Sequence, residues 1–237
     1  MIHGSIRNGY GNEAHTEVLI PSNSTDGDTT FVNSAISSGT IVVQNVAHRT
    51  ATSKFGASSL GIYNTSAAGP NCYHSGPSNL GGKDFCLDFW IYWIRNSSLC
   101  RTVIYYAEDF PGFSTDNGAW IFIDDKDQLI FNMRRNAGDV FYETFDMAGM
   151  DSNGWHHVAL CRKGISYYGF WDGVKLFENF SGSVYDFDFT KGNTVPPKWG
   201  IQSTMGTDQF FYDEPRLSIG NHRWPIQEQF LPPDRPY

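Results

Sequence analysis

The stretch from Gly154 to Phe180 constrains the fold more than any other part of the chain. Two tight-turn signals divide it into three apolar segments. The first is Lys163-Gly164. The second is Asp172-Gly173, which suits a type I′ hairpin because both central residues of that turn need positive φ. This pattern predicts an antiparallel meander of three strands: Trp155–Cys161, Ile165–Trp171 and Val174–Phe180.

The third segment alternates at its start and then loses the alternation. Val174 and Leu176 flank Lys175, which is typical of a strand with one wet face. Phe177 then falls on the face of Lys175, and Glu178 on the face of Leu176. The pattern therefore predicts the first half of this strand and leaves the second half without a defined apolar face.

The most hydrophobic segment runs from Phe85 to Trp93 and is apolar on both faces. One face carries Phe85, Leu87, Phe89, Ile91 and Trp93, and the other carries Cys86, Asp88, Trp90 and Tyr92. Strands with two apolar faces are covered on both sides. We therefore expect this strand at the centre of a sheet.

Further short strands follow along the chain, separated by turns rich in Gly, Ser and Asn. They are expected at Glu17–Ile20, Phe31, Ile41–Val46, Thr102–Tyr106, Trp120–Ile123, Leu129–Met133, Phe141–Phe145, Trp199–Gln202 and Phe210–Ile219. The strand beginning at Thr102 is expected to pair next to Phe85–Trp93, and Thr65 to Lys83 to form a long loop. No segment keeps a helical period. The fold class is thus all-β, a two-sheet antiparallel jelly-roll sandwich with almost no helix.

Length and charge bound the organisation of the chain. The 237 residues fit one sandwich domain, placed at residues 17–237. Residues 1–16 form a polar arm, either disordered or ordered on a partner. The net charge of −8 argues against nucleic acid, which requires a basic surface. No apolar run approaches the roughly 20 residues needed to insert into a membrane, and the N-terminus has no signal-peptide apolar region.

The four cysteines, Cys72, Cys86, Cys100 and Cys161, show no C-x-x-C spacing, so a zinc site is not expected. Their even number allows two disulfides, but a domain of this size can bury its core without them. Free thiols are the preferred interpretation, with Cys86 and Cys161 as small core residues in mid-strand.

Six stretches, in this order, resemble the laminin-G-like, concanavalin A-like jelly roll, particularly the version found in bacteriophage virion proteins. They are Thr29–Phe31, Ser53–Leu60, Phe85–Trp93, Gly154–Gly164, Phe170–Leu176 and Phe211–Tyr237. The resemblance covers about residues 17–237, and the ending PPDRPY points to the phage subset. In such a sandwich, Trp155 would fill the space between the sheets. Phe230 and the prolines would lay the terminus over a sheet edge.

The resemblance implies a non-catalytic surface protein that decorates a bacteriophage capsid or tail. Such a protein is assembled in the host cytoplasm, and residues 1–16 would dock it, as a homo-oligomer, onto other virion proteins. The alternative is a glycan-binding adhesin of a tail or fibre that recognises host surface glycans. A polysaccharide hydrolase or lyase ranks third, because fold alone does not fix function.

The acids and histidines do not form a catalytic pattern. Glycosidases of this fold resemble one another in carrying paired carboxylates on one strand, where side chains at i and i+2 share a face. The nearest acids here have turn or edge positions: Asp124, Asp125, Asp127, Asp186 and Asp188. Adjacent His156 and His157 point to opposite faces of a strand and cannot hold one metal ion. We expect no catalytic residue and no required cofactor.

A structural Ca²⁺ is a candidate ligand, since the resembling domains often hold one between the first loop and the closing strand. Asp213 matches the closing-strand position, whereas Asn23 and Asn33 stand where the first-loop acids are usual. Asn supplies only a neutral oxygen, so Asp26 and Asp28 would have to compensate. The candidate ligands are Asn23, Asp26 and Asp213, and the alternative is a solvated Asx-rich turn.

Carbohydrate binding requires an aromatic face beside polar groups. Six aromatic residues are candidates: Tyr105, Tyr106, Tyr167, Tyr168, Trp171 and Trp199. Of these we retain Tyr105, Tyr168 and Trp171. The alternative for each is packing in the core or at the rim of the sandwich.

Overall fold

The computed structural model describes residues 15–35, 39–63, 71–75, 83–94, 102–107, 118–124, 126–135, 138–147, 154–180, 198–200, 209–220, 229–234 and 236. Within these ranges the protein is built from strands and contains no α-helix. The strands are β1 Thr16–Leu19, β2 Ile41–Gln44, β3 Val46–Arg49, β4 Ser59–Tyr63, β5 Asn71–His74, β6 Phe85–Ile94, β7 Thr102–Ala107, β8 Gly118–Ile123, β9 Gln128–Arg135, β10 Gly138–Asp146, β11 His156–Lys163, β12 Ser166–Trp171, β13 Val174–Phe180, β14 Lys198–Gly200 and β15 Gln209–Ile219.

The strands form two antiparallel sheets that pack as a sandwich. The larger sheet has the order β13-β12-β11-β6-β15-β4-β3, with β1 also paired to β15. The smaller sheet has the order β10-β9-β8-β7-β14-β5-β2. Apolar side chains from both sheets meet in one core, as the all-β sandwich predicted from the sequence requires. Among the described residues, no helix is long and apolar enough to cross a membrane.

The central strand of the larger sheet is β6, as its two apolar faces predicted. It pairs with β11 on one side and β15 on the other. The face from Phe85 to Trp93 lies in the core between the sheets. On the opposite face, Cys86 joins a smaller buried group, which we call the outer cluster: Cys86, Ala159, Cys161, Tyr168, Phe170 and Phe230.

The meander predicted from the sequence is formed by β11, β12 and β13. Asp172 and Gly173 have φ values of 48° and 78°, as a type I′ turn requires. The C-terminal segment then lies over this hairpin, as predicted. Phe230 N donates to the Gly173 carbonyl at 2.8 Å, and Gln229 forms a bridge to Val174 on edge strand β13.

A β-bulge in β13 explains the alternation that is lost in the sequence. Gly169 pairs with Phe177 and the next residue of β12 pairs with Lys175, which leaves Leu176 as the extra residue. The bulge returns Phe177 to the core between the sheets. On the opposite face, Lys175 Nζ donates to Glu178 Oε2 at 3.0 Å.

Five local predictions were wrong. The strand predicted at Ile41–Val46 is interrupted at Asn45, whose positive φ connects β2 of the smaller sheet to β3 of the larger sheet. Phe31 is buried but lies in a loop, because it packs by stacking on the ring of His48. The predicted loop from Thr65 to Lys83 contains β5, which pairs with β2 and β14. Strand β7 belongs to the smaller sheet and pairs with β8, not with β6. Trp155 packs beside Tyr92, whose neighbours along β6 show it to lie on the outer face, and so does not fill the core.

Cys86 and Cys161 form a disulfide bond, whereas free thiols were preferred from the sequence. The two residues are direct cross-strand partners on β6 and β11. Their pairing depends on the register of two strands that are 75 residues apart, which the spacing of cysteines does not reveal. Cys72 is a free buried thiol, and burial raises its pKa to about 12.

Candidate functional site

The predicted carbohydrate residues do not present aromatic faces to solvent where the structure describes them. Tyr168 is 6% exposed within the outer cluster. Trp171 is 5% exposed in the core between the sheets, where the ring of His156 stacks on it at 4.8 Å. Tyr105 lies on β7, and its side chain is outside the described residues. The core-packing alternative therefore describes Tyr168 and Trp171.

The predicted calcium ligands bond to protein groups. Both carboxylate oxygens of Asp213 accept backbone N–H groups: Oδ2 from Lys54 and Phe55 at 2.9 Å each, and Oδ1 from Glu214 at 3.1 Å. Asn23 Oδ1 accepts the N–H of Ala57 at 3.2 Å. Asp213 and Asn23 thus hold the two ends of the same short loop.

Burial raises the pKa of Asp213 to about 7, outweighing the N–H groups that would lower it. No group of three His, Cys, Asp or Glu side chains among the described residues has a metal-binding arrangement. Asn33 Oδ1 accepts the N–H groups of Leu19 and Ala35. Calcium binding stays a prediction.

His156 and His157 point to opposite faces of β11, as their adjacency predicted. His156 Nδ1 donates to Asp172 Oδ2 at 2.7 Å, and its ring packs on the core side. His157 is fully buried and its Nε2 lies 3.2 Å from Asp88 Oδ2. The two histidine side chains therefore contact different carboxylates, although the backbone N–H of His157 also donates to Asp172.

Asp88 and Arg216 form a buried ion pair on the outer face of the larger sheet, and the His157 side chain contacts Asp88. Arg216 donates to Asp88 through Nε at 3.0 Å and through Nη2 at 2.8 and 2.7 Å. Burial by itself would raise the pKa of Asp88, but Arg216 and His157 outweigh it and hold that pKa below its usual value. These side-chain contacts link β6, β11 and β15.

A groove lies where edge strands of the two sheets follow each other in the chain. We call it the edge groove, and its lining is Gly27, Thr29, Val43, Asn45, Val46, Ala47 and Arg49. Its volume is about 590 Å³. Strand β2 is the edge of the smaller sheet and β3 the edge of the larger sheet, and Asn45 joins them with a φ of 53°.

The segment from Gly27 to Thr29, which precedes both β2 and β3 in the chain, forms one side of the edge groove. Gly27 N donates to the His48 carbonyl at 2.9 Å, and His48 N donates to the Asp28 carbonyl at 2.8 Å. These bonds cover the outer edge of β3, which would otherwise present unpaired backbone groups. They also fix Gly27 and Thr29 against the strand that carries Arg49.

The His48 side chain anchors the same segment from below. Its Nε2 donates to the Thr30 carbonyl at 3.0 Å, so its Nδ1 is free to accept from hydroxyl groups. Ser22 Oγ lies 2.6 Å from Nδ1 and Ser58 Oγ lies 3.2 Å from it. All three side chains are buried, and their hydrogen bonds hold the segment that lines the groove against β3.

Charge in the edge groove is balanced. Arg49 Nη1 lies 3.5 Å from Asp26 Oδ2, and the two side chains are 31% and 55% exposed. Asp26 Oδ1 accepts the N–H of Thr50 at 3.2 Å, which orients the carboxylate. The groove lining therefore offers hydrogen-bonding groups from Thr29, Asn45 and Arg49 and apolar surface from the half-buried Val43 and Ala47. Asp26 lies outside the lining and adds an acceptor beside Arg49.

Sequence reasoning identified Asp26 only as a calcium candidate and did not identify Thr29, Asn45 or Arg49. The available signal was Asn45 shortly after the β-branched run Ile41–Val43, since Asn tolerates positive φ. That signal gives a turn. It does not reveal that the turn connects two different sheets.

A second exposed surface lies on the outer face of the larger sheet. Tyr92, Phe211 and Trp155 form a row there, with ring centroids 5.9 Å apart for Tyr92–Phe211 and 5.7 Å for Tyr92–Trp155. Tyr92 and Trp155 are partly exposed, while Phe211 is buried. We call these three residues the outer aromatic row.

No family model matches this chain, and no curated protein matches it. Among solved structures, it is similar to the binding domain of botulinum neurotoxin serotype D, with a TM-score of 0.67 and 10% sequence identity. That match covers 87% of this chain and 48% of the other.

Two other similar structures carry descriptions of what they bind. One is the binding domain of botulinum neurotoxin DC in complex with rat synaptotagmin II, with a TM-score of 0.65, 11% identity, and coverage of 88% and 49%. The other is a botulinum neurotoxin type C structure, described as showing that cell entry depends on interaction with two ganglioside molecules. Its TM-score is 0.65, its identity 12%, and its coverage 87% and 48%.

At these identities the likeness concerns the fold. The chain has a β-sandwich fold similar to that of those binding domains, and it spans about half the length of the chains it matches. The all-β, two-sheet antiparallel sandwich expected from the sequence is confirmed. These structures give no support to the bacteriophage or laminin-G assignment.

Proposed function

We propose that this chain is a non-catalytic carbohydrate-binding protein that recognises a surface glycan at the edge groove. The observation that carries the proposal is the lining of that groove, which combines hydrogen-bonding side chains with apolar surface. A sugar ring carries hydroxyls at its rim and C–H groups on its faces, so it requires both kinds of contact. The volume of about 590 Å³ falls in the range of small-molecule sites, about 300 to 1,000 Å³.

The similar structures support a binding role. They are binding domains of toxins, and one of them is described with gangliosides, which are glycan-bearing lipids. Three of the described carboxylates, Asp88, Asp172 and Asp213, each hold structural hydrogen bonds, which fits the non-catalytic part of the proposal. A glycosidase would need two such groups facing one cleft.

A place on a bacteriophage particle is a separate proposal, and it is carried by the sequence resemblance of residues 17–237. In that proposal residues 1–16 attach a homo-oligomer to other virion proteins, and a structural Ca²⁺ occupies the first loop. The toxin binding domains give it no support. Copy number in purified particles, measured by quantitative mass spectrometry, tests it: absence from the particles would end the virion proposal and leave glycan binding untouched.

A glycan array tests the carbohydrate-binding proposal directly. The variant to compare with the wild type combines Thr29→Val with Asn45→Gly, which removes two polar groups while glycine suits the positive φ at residue 45. The matched control is Asp127→Gly, also at positive φ, in the β8–β9 turn four strands from β2. Glycan binding by the wild type and the control but not by the groove variant is expected. A blank array for the wild type would reject the proposal.

A further inference from the structure

The Arg49–Asp26 pair gives the edge groove a chemistry that distinguishes between classes of sugar. Arg49 can only donate hydrogen bonds, whereas ionised Asp26 can only accept them. A hydroxyl group does both, so two neighbouring hydroxyls on one ring can accept from the guanidinium and donate to the carboxylate. A carboxylate-bearing sugar can use only the guanidinium.

The Arg49–Asp26 contact is not a tight hydrogen bond. The Arg49 Nη1 to Asp26 Oδ2 distance of 3.5 Å is longer than the about 2.7–2.9 Å of a tight charge-assisted hydrogen bond. The Asp26 carboxylate is held in place by the N–H of Thr50, and Arg49 is the last residue of β3. The Asp26 carboxylate and the Arg49 guanidinium therefore both lie at the C-terminal end of β3.

Charge also separates the two classes of sugar. Asp26 neutralises Arg49 locally, and the whole chain carries a net charge of −8. An acidic sugar entering the groove would meet the Asp26 carboxylate as well as the general negative field of the protein. A neutral sugar meets neither penalty.

We propose that the edge groove binds a neutral sugar through two adjacent hydroxyls. One hydroxyl accepts a hydrogen bond from the Arg49 guanidinium, and the other donates one to the Asp26 carboxylate. This inference rests on the proposed carbohydrate-binding function and adds the class of ligand. Asn45 lies at the opposite end of β3 in the same lining, and its exposed amide can bond a hydroxyl further along the glycan. Val43 and Ala47, which are both half-buried in the lining, supply surface for the C–H face of the ring.

The test is ligand-observed NMR with named probes: the methyl glycosides of mannose, galactose and glucose, against N-acetylneuraminic acid and glucuronic acid. The wild type is expected to bind at least one neutral glycoside more tightly than either acid. Arg49→Gln should weaken that binding by about tenfold or more, since it removes a charged donor. Asp26→Asn should shift the acid-to-neutral preference towards acids by about tenfold, because the carboxylate that repels an acidic sugar beside Arg49 is then neutral.

The matched control is the Lys175–Glu178 ion pair on β13, at the opposite edge of the larger sheet, and Lys175→Ala should leave binding unchanged. Circular dichroism melts show whether each variant is folded, and Arg49→Lys replaces Arg49→Gln if the latter does not fold. Binding of acidic sugars alone would overturn this inference while leaving the carbohydrate-binding function standing. Failure of the wild type to bind any probe or any array glycan would overturn both.

Discussion

Arg216 Nη2 donates to both carboxylate oxygens of Asp88, at 2.8 and 2.7 Å, although the two residues are 128 positions apart in the sequence. A bulge in β15 between Asp213 and Arg216 makes this contact possible. Without the extra residue Pro215 would face Asp88, and Leu217 would leave the core. One backbone irregularity thus places both the ion pair and the apolar residues that follow it.

Loss of the Asp88 carboxylate should be severe. Asp88→Ala leaves the Arg216 charge buried without its carboxylate partner, and we expect a loss of about 3–5 kcal/mol in the free energy of unfolding. The double variant Asp88→Leu with Arg216→Met should recover most of that loss, since an apolar pair carries no desolvation penalty. Urea unfolding followed by fluorescence measures both. Equal stability of Asp88→Ala and the wild type would contradict the stabilising role assigned to the Asp88–Arg216 ion pair.

Asp172 should make the hairpin sensitive to acid. Burial alone would raise its pKa, but the bonds from His156 Nδ1 and His157 N outweigh burial and lower it. Because its pKa is lowered, ionised Asp172 stabilises the folded state at pH values above the ordinary pKa of 3.8. That contribution is lost as the pH falls from there through the lowered pKa of the folded protein.

Asp172→Asn keeps a residue that tolerates the turn, so it isolates the charge. We expect it to be less stable than the wild type by about 1 kcal/mol or less near neutral pH, given the partial exposure of the group. The difference should vanish in strong acid. Thermal melts across this pH range measure it, and a gap that widens in acid would show that the sign is wrong.

Gly169 should not accept a side chain while Phe177 remains. A Cβ at this position would overlap the Phe177 ring, which is packed in the core. Gly169→Ala is expected to cost about 1–3 kcal/mol in stability. Combining it with Phe177→Leu should cost less than the sum of the two single changes, because the smaller side chain vacates the space. Additive costs in the double-mutant cycle would refute the contact.

Counting reactive thiols tests the Cys86–Cys161 disulfide directly. The denatured chain without reductant should show two fewer reactive thiols than the fully reduced chain, because Cys86 and Cys161 are joined. Reductant should also lower the stability of the folded protein by about 2–4 kcal/mol, a typical contribution for a closed loop of this kind. Identical thiol counts before and after reduction would restore the free thiols that the sequence favoured.

The sequence predicted features that depend on local pattern. The meander, the Asp172-Gly173 turn and the central position of Phe85–Trp93 follow from periodicity and turn chemistry, and all are present. The bulge at Leu176 was visible only as a break in that pattern. The partners of β7 and the disulfide were not visible, because strand neighbours and register are set by tertiary packing.

The candidate site was less predictable than the fold for the same reason. Aromatic residues such as Trp171 suggested a sugar site by type, yet the sandwich uses that ring in its core. Arg49 and Asp26 are 23 positions apart and meet only because the segment at Gly27 pairs with the edge of β3. No pattern in the sequence records that pairing.

The most direct test of the central claim is a crystal structure of the protein with the neutral glycan that binds it most tightly on the array. The sugar should lie in the edge groove, with hydroxyls within hydrogen-bond distance of Arg49 and Asp26. A sugar seated instead on Tyr92 and Trp155 of the outer aromatic row would contradict the assignment of the groove as the binding site.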